Sequence, residues 1–292
     1  MGAGLDRDQG VAAGLWRRPR LQLSLLLAGP VGWLVIAYLG SLAVLFVAAF
    51  WRLDTFSGQV VQDYSLDNFR TLIENDVYRS IVFRTVLIAA AVTVTDALLA
   101  FPIAFYMAKV ARPRIRALLV IAVVMPLWSS YLVKVYAWRI ILAEDGILNW
   151  ALDPFGLSGP GFGNVATWLV FSYLWLPYMI LPIYAGLERI PDSLMDASSD
   201  LGGGAWLTFR RVVLPLAWPA VVAGSIFTFS LTLGDYITPQ IVSSTQFIGN
   251  VVYTNVGVAN NLPLAAAFAT VPVFIMILYL LAARRMGAFE SL

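Results

Sequence analysis

Six long apolar stretches dominate this sequence, and each is long enough to cross a lipid bilayer as a helix. They cover about residues 25–50, 80–108, 117–142, 165–187, 216–233 and 264–283. A spanning helix needs roughly 20 apolar residues, and inside lipid only a helix or a closed barrel satisfies its own backbone hydrogen bonds. The sequence therefore predicts an all-α integral membrane protein with six transmembrane helices.

Composition supports the same class and excludes several kinds of chemistry. The chain is 60% hydrophobic and 12% charged, which is too little polar surface for a soluble domain. It contains no cysteine and no histidine, so disulfides, thiol nucleophiles, histidine bases and imidazole metal ligands are excluded. The first apolar stretch exceeds the core of a signal peptide, and we expect it to persist as the first span.

The basic residues predict an orientation. The N-terminal segment, the second loop, the fourth loop and the C-terminal segment carry 4, 4, 3 and 2 Lys or Arg, whereas the first, third and fifth loops carry 3, 0 and 0. Because basic residues concentrate on the cytoplasmic side, both termini are predicted to be cytoplasmic. We expect an N-terminal tail at 1–24, a transmembrane domain at 25–285 and a C-terminal tail at 286–292.

The polar loop at about 190–215 has a distinctive local pattern. Pro191 suits the start of a helix, and the glycines at 202–204 predict its C-terminal cap and a turn. A second helix is expected over 205–213, which Pro215 should interrupt. An apolar stripe follows the first helix at Leu194, Ala197 and Leu201.

The spacing in this loop resembles the EAA loop of binding-protein-dependent ABC importer permeases, which has E-A-A, three residues, G, nine residues and I-x-L-P. These positions hold Asp196, Ala197, Ser198, Gly202, Val212, Leu214 and Pro215, with Asp, Ser and Val as the departures. In that family the loop is a coupling helix that sits in a groove of a cytoplasmic ATPase. We call residues 190–215 the coupling loop.

The resemblance implies the type I ABC importer permease fold in a bacterial inner membrane. The implied partners are ATPase subunits that bind ATP and Mg, a second permease subunit, an extracytoplasmic solute-binding protein, the solute and membrane lipid. We expect no cofactor and no catalytic residue in this chain, and no nucleic acid partner. It has only two lysines and neither follows a glycine, so it lacks a P-loop of its own.

A second resemblance concerns the solute. Residues 233–239, LGDYITP, and residues 125–128, MPLW, are similar to segments of the spermidine/putrescine permease subfamily. A polyamine is a long cation, and its path needs carboxylates and aromatic faces. The candidate path residues are Asp235, Tyr236, Thr238, Trp128, Tyr131 and Asp96.

Several alternatives stay open at this point. Asp96, near mid-membrane, either lines the path or is a buried structural partner, and Lys134 would repel a cation unless it is paired or turned away. Related permeases carry iron, opine-like amino-acid derivatives or phosphonates, and the second permease is either a copy or a related chain. An ion-coupled secondary transporter could use Asp96, whereas the residues of a membrane-embedded enzyme are not found.

Overall fold

The computed structural model describes residues 19–54 and 56–286, so most of the predicted N-terminal and C-terminal tails lies outside the described residues. The helices are α1 (Pro19–Trp33), α2 (Gly40–Ala48), α3 (Asp67–Glu74), α4 (Asp76–Phe105), α5 (Pro113–Trp128), α6 (Tyr131–Leu142), α7 (Ile147–Leu152), α8 (Asn164–Glu188), α9 (Asp192–Asp200), α10 (Ala205–Thr208), α11 (Leu214–Gly234), α12 (Ile237–Val242), α13 (Ile248–Gly257) and α14 (Leu262–Arg285). A short antiparallel hairpin pairs β1 (Arg52–Leu53) with β2 (Val60–Val61).

Within the described ranges, five helical rods are long and apolar enough to span a membrane. They are Leu26–Ala48, Asp76–Val110, Asn164–Glu188, Ala205–Gly234 and Leu262–Arg285. Three of them contain a π-helical turn, at Leu34–Leu39, Tyr106–Val110 and Phe209–Val213. These rods confirm five of the six predicted spans.

The third predicted span is not one helix. Helices α5 and α6 meet at an angle of 93°, with Ser129 in extended conformation and Ser130 also non-helical between them. Serine side chains compete for backbone hydrogen bonds and so favour helix ends. The Ser129 hydroxyl donates to the Pro126 carbonyl at 2.8 Å, which satisfies one free group at the end of α5. The third predicted span is therefore broken between α5 and α6.

The expectation that Pro215 interrupts the second helix of the coupling loop is wrong. The rod continues from Ala205 through Pro215 to Gly234. Proline lacks an N–H and its ring clashes with the carbonyl four residues earlier. The π-helical turn Phe209–Val213 lies directly before it, and such turns relieve a local mismatch in the hydrogen-bond ladder. Helix α8 likewise runs unbroken through Pro177 and Pro182.

Helices α4, α8 and α11 form the centre of the bundle. Side chains from all three meet in one apolar cluster near the coupling loop, which includes Ala104, Met107, Ile183, Leu187, Val213 and Ala217. A Cβ atom at Gly186 would collide with Ala220, so the glycine permits α8 and α11 to approach closely. By contrast, the N-terminal rod is mostly exposed and meets the bundle through Ala48 and Ala49, against Ala266 and Ala267 of α14.

The bundle has two distinct ends. The coupling loop lies at one end, where Lys109 after α4 contacts Ile190 and Asp192. At the other end, the guanidinium of Arg84, near the start of α4, donates to the Gln246 carbonyl. The backbone N–H of Gly163, just before α8, donates to the Val242 carbonyl. The segment at 234–263, which we predicted as a loop, contains α12 and α13, and these two short helices close that end.

Candidate functional site

The coupling loop folds into a helix, a glycine turn and a second helix, as predicted. Gly202 has φ +80°, and its N–H donates to the Ser199 carbonyl at 2.9 Å. The Gly203 N–H donates to the Ser198 carbonyl at 2.8 Å. This pair of bonds is the Schellman arrangement, which satisfies the last carbonyls of a helix when the following residue adopts a left-handed conformation.

Close contacts hold the two helices of the loop together. A Cβ atom at Gly203 would lie 2.6 Å from the Ser198 carbonyl oxygen, so only glycine fits there. The hydroxyls of Ser198 and Thr208 lie 2.8 Å apart in a hydrogen bond, and Thr208 is buried. The loop therefore has a defined shape, and Ser198 contributes to it as a structural residue.

The exposed face of α9 carries the predicted apolar stripe. Leu194 is 43% exposed and Leu201 is 89% exposed, and Ala197 between them is also exposed. Asp196 and Asp200 are exposed on the same helix, whereas Met195 packs into the bundle core. An apolar stripe that stays partly exposed, flanked by carboxylates, is suited to contact another protein. Val212 and Leu214 are half-buried, and Pro215 is exposed.

A second cluster of polar groups surrounds Asp235, directly after α11. The Tyr131 hydroxyl donates a hydrogen bond to its Oδ2, and the Thr238 hydroxyl lies 3.2 Å from the same oxygen. Its Oδ1 accepts from the backbone N–H groups of Ile237 at 2.7 Å and Thr238 at 3.2 Å. Asp235 thus caps the start of α12, and it also joins two separate parts of the chain.

The break in the third span places Tyr131 at this cluster. Tyr131 is the first residue of α6, so the 93° bend directs α6 away from the line of α5 at that point. The Lys134 ammonium donates to the Pro126 carbonyl at 3.0 Å, across the break. A cation at a helix C-terminus is favourable because the free carbonyls there carry partial negative charge. The lysine is therefore paired with the end of α5.

Aromatic rings border the cluster around a pocket of about 370 Å³. The Trp175 ring is stacked on Tyr131 at 6.0 Å between centroids, and Tyr236 is stacked on Tyr253 at 4.7 Å. Gly249 of α13 lies against this turn, since a Cβ atom there would be 2.8 Å from the Asp235 carbonyl oxygen. The pocket combines one carboxylate with several ring faces.

The structure brings together Asp235, Tyr236, Thr238 and Tyr131 but not the other two path candidates. Trp128 is 86% exposed and borders a different, apolar groove beside Val120 and Met125. Asp96 is fully buried in α4. The Ser172 hydroxyl of α8 faces its carboxylate, at a geometry outside that of a normal hydrogen bond.

Sequence reasoning missed Trp175 and Gly249 at this site. Trp175 belongs to an aromatic face of α8 with Phe171 and Tyr178, at i, i+4 and i+7. That helical spacing could have predicted from the sequence that the three rings share one face. Gly249 had no signal in the sequence, because its importance arises from the approach of α13 to a turn far away in the chain.

Comparison with known families identifies the chain. Residues 90–289 match the family described as "Binding-protein-dependent transport system inner membrane component". The chain belongs to this family. It is 46% identical to the inner membrane ABC transporter permease protein YdcU of Escherichia coli over 97% of this chain and 95% of that protein. It is 29% identical to the spermidine/putrescine transport system permease protein PotB of Haemophilus influenzae, over 70% and 72%.

Solved structures agree on the fold. The permease matches a chain of a bacterial alginate ABC transporter with TM-score 0.73 and 15% identity, over 94% of this chain and 96% of that one. It matches a chain of the MetNI methionine ABC transporter with TM-score 0.56 and 16% identity, over 72% and 94%. The predicted type I ABC importer permease fold is confirmed.

These findings also confirm the class of the protein. It is the permease subunit of an ABC importer and a multi-pass protein of the bacterial inner membrane. It is not an enzyme, and the ATPase is a separate subunit. The orientation of the termini stays a prediction, as do the roles of the individual site residues.

Asp96 provides a test of the two roles considered for it. Because the carboxylate is fully buried and faces a neutral hydroxyl, that of Ser172, an isosteric neutral amide should suit the site. We expect the Asp96→Asn permease to import solute at a rate within about twofold of wild type. Uptake into proteoliposomes checks this, with Asp96→Lys as the variant that should fail to accumulate. A large loss in Asp96→Asn would show that the path needs this charge.

Proposed function

We propose that this permease forms part of the import path for a polyamine, with Asp235 as the carboxylate that a terminal ammonium group passes. The observation that carries this proposal is the cluster in which Asp235, Tyr131 and Thr238 meet beside the Trp175 ring. The PotB relatives, whose name states spermidine and putrescine, support the same solute class.

The chemistry of the pocket suits a long cation. An ammonium group binds a carboxylate by charge and an aromatic face by cation–π attraction, which contributes about 0.5–2 kcal/mol per ring. Trp175, Tyr131 and Tyr236 offer such faces beside Asp235. Lys134, which would repel a cation, has its ammonium turned to the Pro126 carbonyl.

The coupling loop is the proposed ATPase contact. It lies on the cytoplasmic side, where the positive-inside rule also places both termini. The carboxylates of Asp196 and Asp200 and the exposed Leu201 side chain enter a groove of the ATPase, and ATP-driven closure moves α9. Six spans do not enclose a hydrophilic path alone, so a second permease completes it and a solute-binding protein delivers the solute from outside.

ATP hydrolysis by the complete importer tests the proposal. The permease is co-expressed with its second permease and ATPase, reconstituted in proteoliposomes and supplied with its binding protein. We expect putrescine or spermidine to stimulate hydrolysis, while an amino acid and ferric iron do not. Stimulation by another solute alone would contradict the polyamine assignment, and failure to assemble with any ATPase would contradict the coupling assignment.

One observation favours a second candidate solute. The indole N–H of Trp175 is buried and has no hydrogen-bond partner within the described ranges. A donor of this kind suits a solute with acceptor oxygens, such as an opine-like amino-acid derivative. The same hydrolysis assay with such a compound separates the two solute classes.

A further inference from the structure

Lys109 makes an unusual set of contacts at the end of the bundle that carries the coupling loop. It is one of only two lysines in the chain, and its side chain is 7% exposed. Its ammonium donates to the Ile190 carbonyl at 2.5 Å and to the Asp192 carboxylate at 2.8 Å. The lysine therefore connects the end of the second span to the two residues on either side of Pro191, which directly precedes α9.

Arg116 makes a parallel set of contacts beside it. The guanidinium donates to Glu188 at 3.4 Å and to the Ala108 carbonyl at 3.0 Å, and the Tyr184 hydroxyl donates to the same Glu188 carboxylate at 3.1 Å. Two cations, one at the end of the second span and one near the start of α5, thus bind residues 188–192. Residues 188–192 link α8 to α9, the first helix of the coupling loop.

The contacts of Lys109 differ in their expected importance. Asp192 has a side chain 77% exposed, and an ion pair in water contributes little to stability even though the lysine lowers the pKa of this carboxyl. The Ile190 carbonyl is in a buried residue, and a buried acceptor left without its donor is costly. The contact with Ile190 is therefore the stronger constraint on the position of the link.

The apolar layer beneath the lysine joins the same elements. Met107 and Ala108 at the end of the second span pack with Leu187 and Ile190 and with Val213 at the start of the fifth. Close-packed side chains transmit a displacement because a packed interior has low compressibility. A movement of α9 therefore reaches the second span along two routes, the packed layer and the lysine.

We propose that Lys109 is a positioning residue that fixes the coupling helix to the ends of the second and fourth spans, so that movement of the helix is passed to the path. This inference rests on the proposed role of the coupling loop. Lys109 touches neither the solute nor, in this proposal, the ATPase. Its loss separates ATP hydrolysis from transport, whereas loss of the docking surface stops both.

The test compares solute imported per ATP hydrolysed in the reconstituted importer. We expect Lys109→Met to import about tenfold less solute per ATP, with hydrolysis continuing. Lys109→Arg keeps a cation and donors and should retain most of the wild-type ratio. Asp192→Asn, which changes only the exposed partner, should have a small effect. A normal ratio in Lys109→Met would overturn the proposal.

Gly202→Arg in the same assay distinguishes the two proposals. If it abolishes transport while Lys109→Met keeps a normal ratio, only the inference about Lys109 fails. If Gly202→Arg transports normally, the proposed docking role fails and this inference with it.

A cysteine pair tests the same connection independently, with a covalent link in place of the lysine. The chain contains no cysteine, so Lys109→Cys with Asp192→Cys introduces the only thiols of the subunit. Bridging them with a short bifunctional thiol reagent should restore the ratio of solute to ATP that the unbridged pair lacks. An unbridged pair with a normal ratio, or a bridged pair without recovery, would overturn the proposal.

Discussion

The Gly202→Arg permease is expected to lose uptake by about tenfold or more while it still accumulates in the membrane, which corresponds to about 1.4 kcal/mol or more of lost docking free energy. Gly202 has φ +80°, a conformation that costs a non-glycine residue on the order of 1–2 kcal/mol. The turn would therefore deform, and the arginine would stand beside the exposed face of α9 that we propose docks to the ATPase. Solute uptake measures the loss of transport, and co-purification of the ATPase with the permease measures the loss of docking.

Two control variants separate strain from docking. Gly156 has φ +65° and open space around it, so Gly156→Arg adds the same side chain and similar backbone strain far from the coupling loop. We expect near-normal uptake. Gly202→Asn should also retain uptake, because asparagine tolerates a left-handed conformation. Equal losses in Gly156→Arg and Gly202→Arg would show that the docking surface is not the cause.

The coupling loop was predictable because its constraints are local. Glycine at a positive φ, proline at a helix start and an apolar spacing of three to four residues act over single turns, and α9 and α10 begin close to where these signals place them. The continuation of the second helix through Pro215 was not predictable in the same way. It depends on the π-helical turn before the proline, which no residue in Phe209–Val213 specifies alone.

The site around Asp235 was predictable only in part. The residues Asp235, Tyr236 and Thr238 are adjacent in sequence, so their proximity required no knowledge of the fold. Tyr131 reaches them because the third span breaks, and mean hydropathy does not distinguish a broken span from a straight one. The separation of Trp128 and Asp96 from this cluster was not predictable, because a composition argument identifies suitable side chains but does not say which face of a helix they occupy.

Asp235 has two roles in the structure, and its variants can separate them. One carboxylate oxygen accepts from the N–H groups of Ile237 and Thr238 and so caps α12, while the other faces the Tyr131 hydroxyl. Asparagine is as good a cap as aspartate, whereas alanine is a poor one. Asp235→Asn therefore removes the charge and keeps the cap, and Asp235→Ala removes both.

We expect Asp235→Asn to assemble normally and to import putrescine with kcat/KM reduced roughly 10- to 100-fold, the range expected when a charge-assisted contact is lost. Basal ATP hydrolysis should be unchanged, because the coupling loop lies at the other end of the bundle. Asp235→Ala should in addition show less assembled complex, and Tyr131→Phe, which leaves the carboxylate in place, should lose less uptake than Asp235→Asn. Normal putrescine uptake by Asp235→Asn would show that the carboxylate serves only to cap α12, and the polyamine path would then have to follow another face of the bundle.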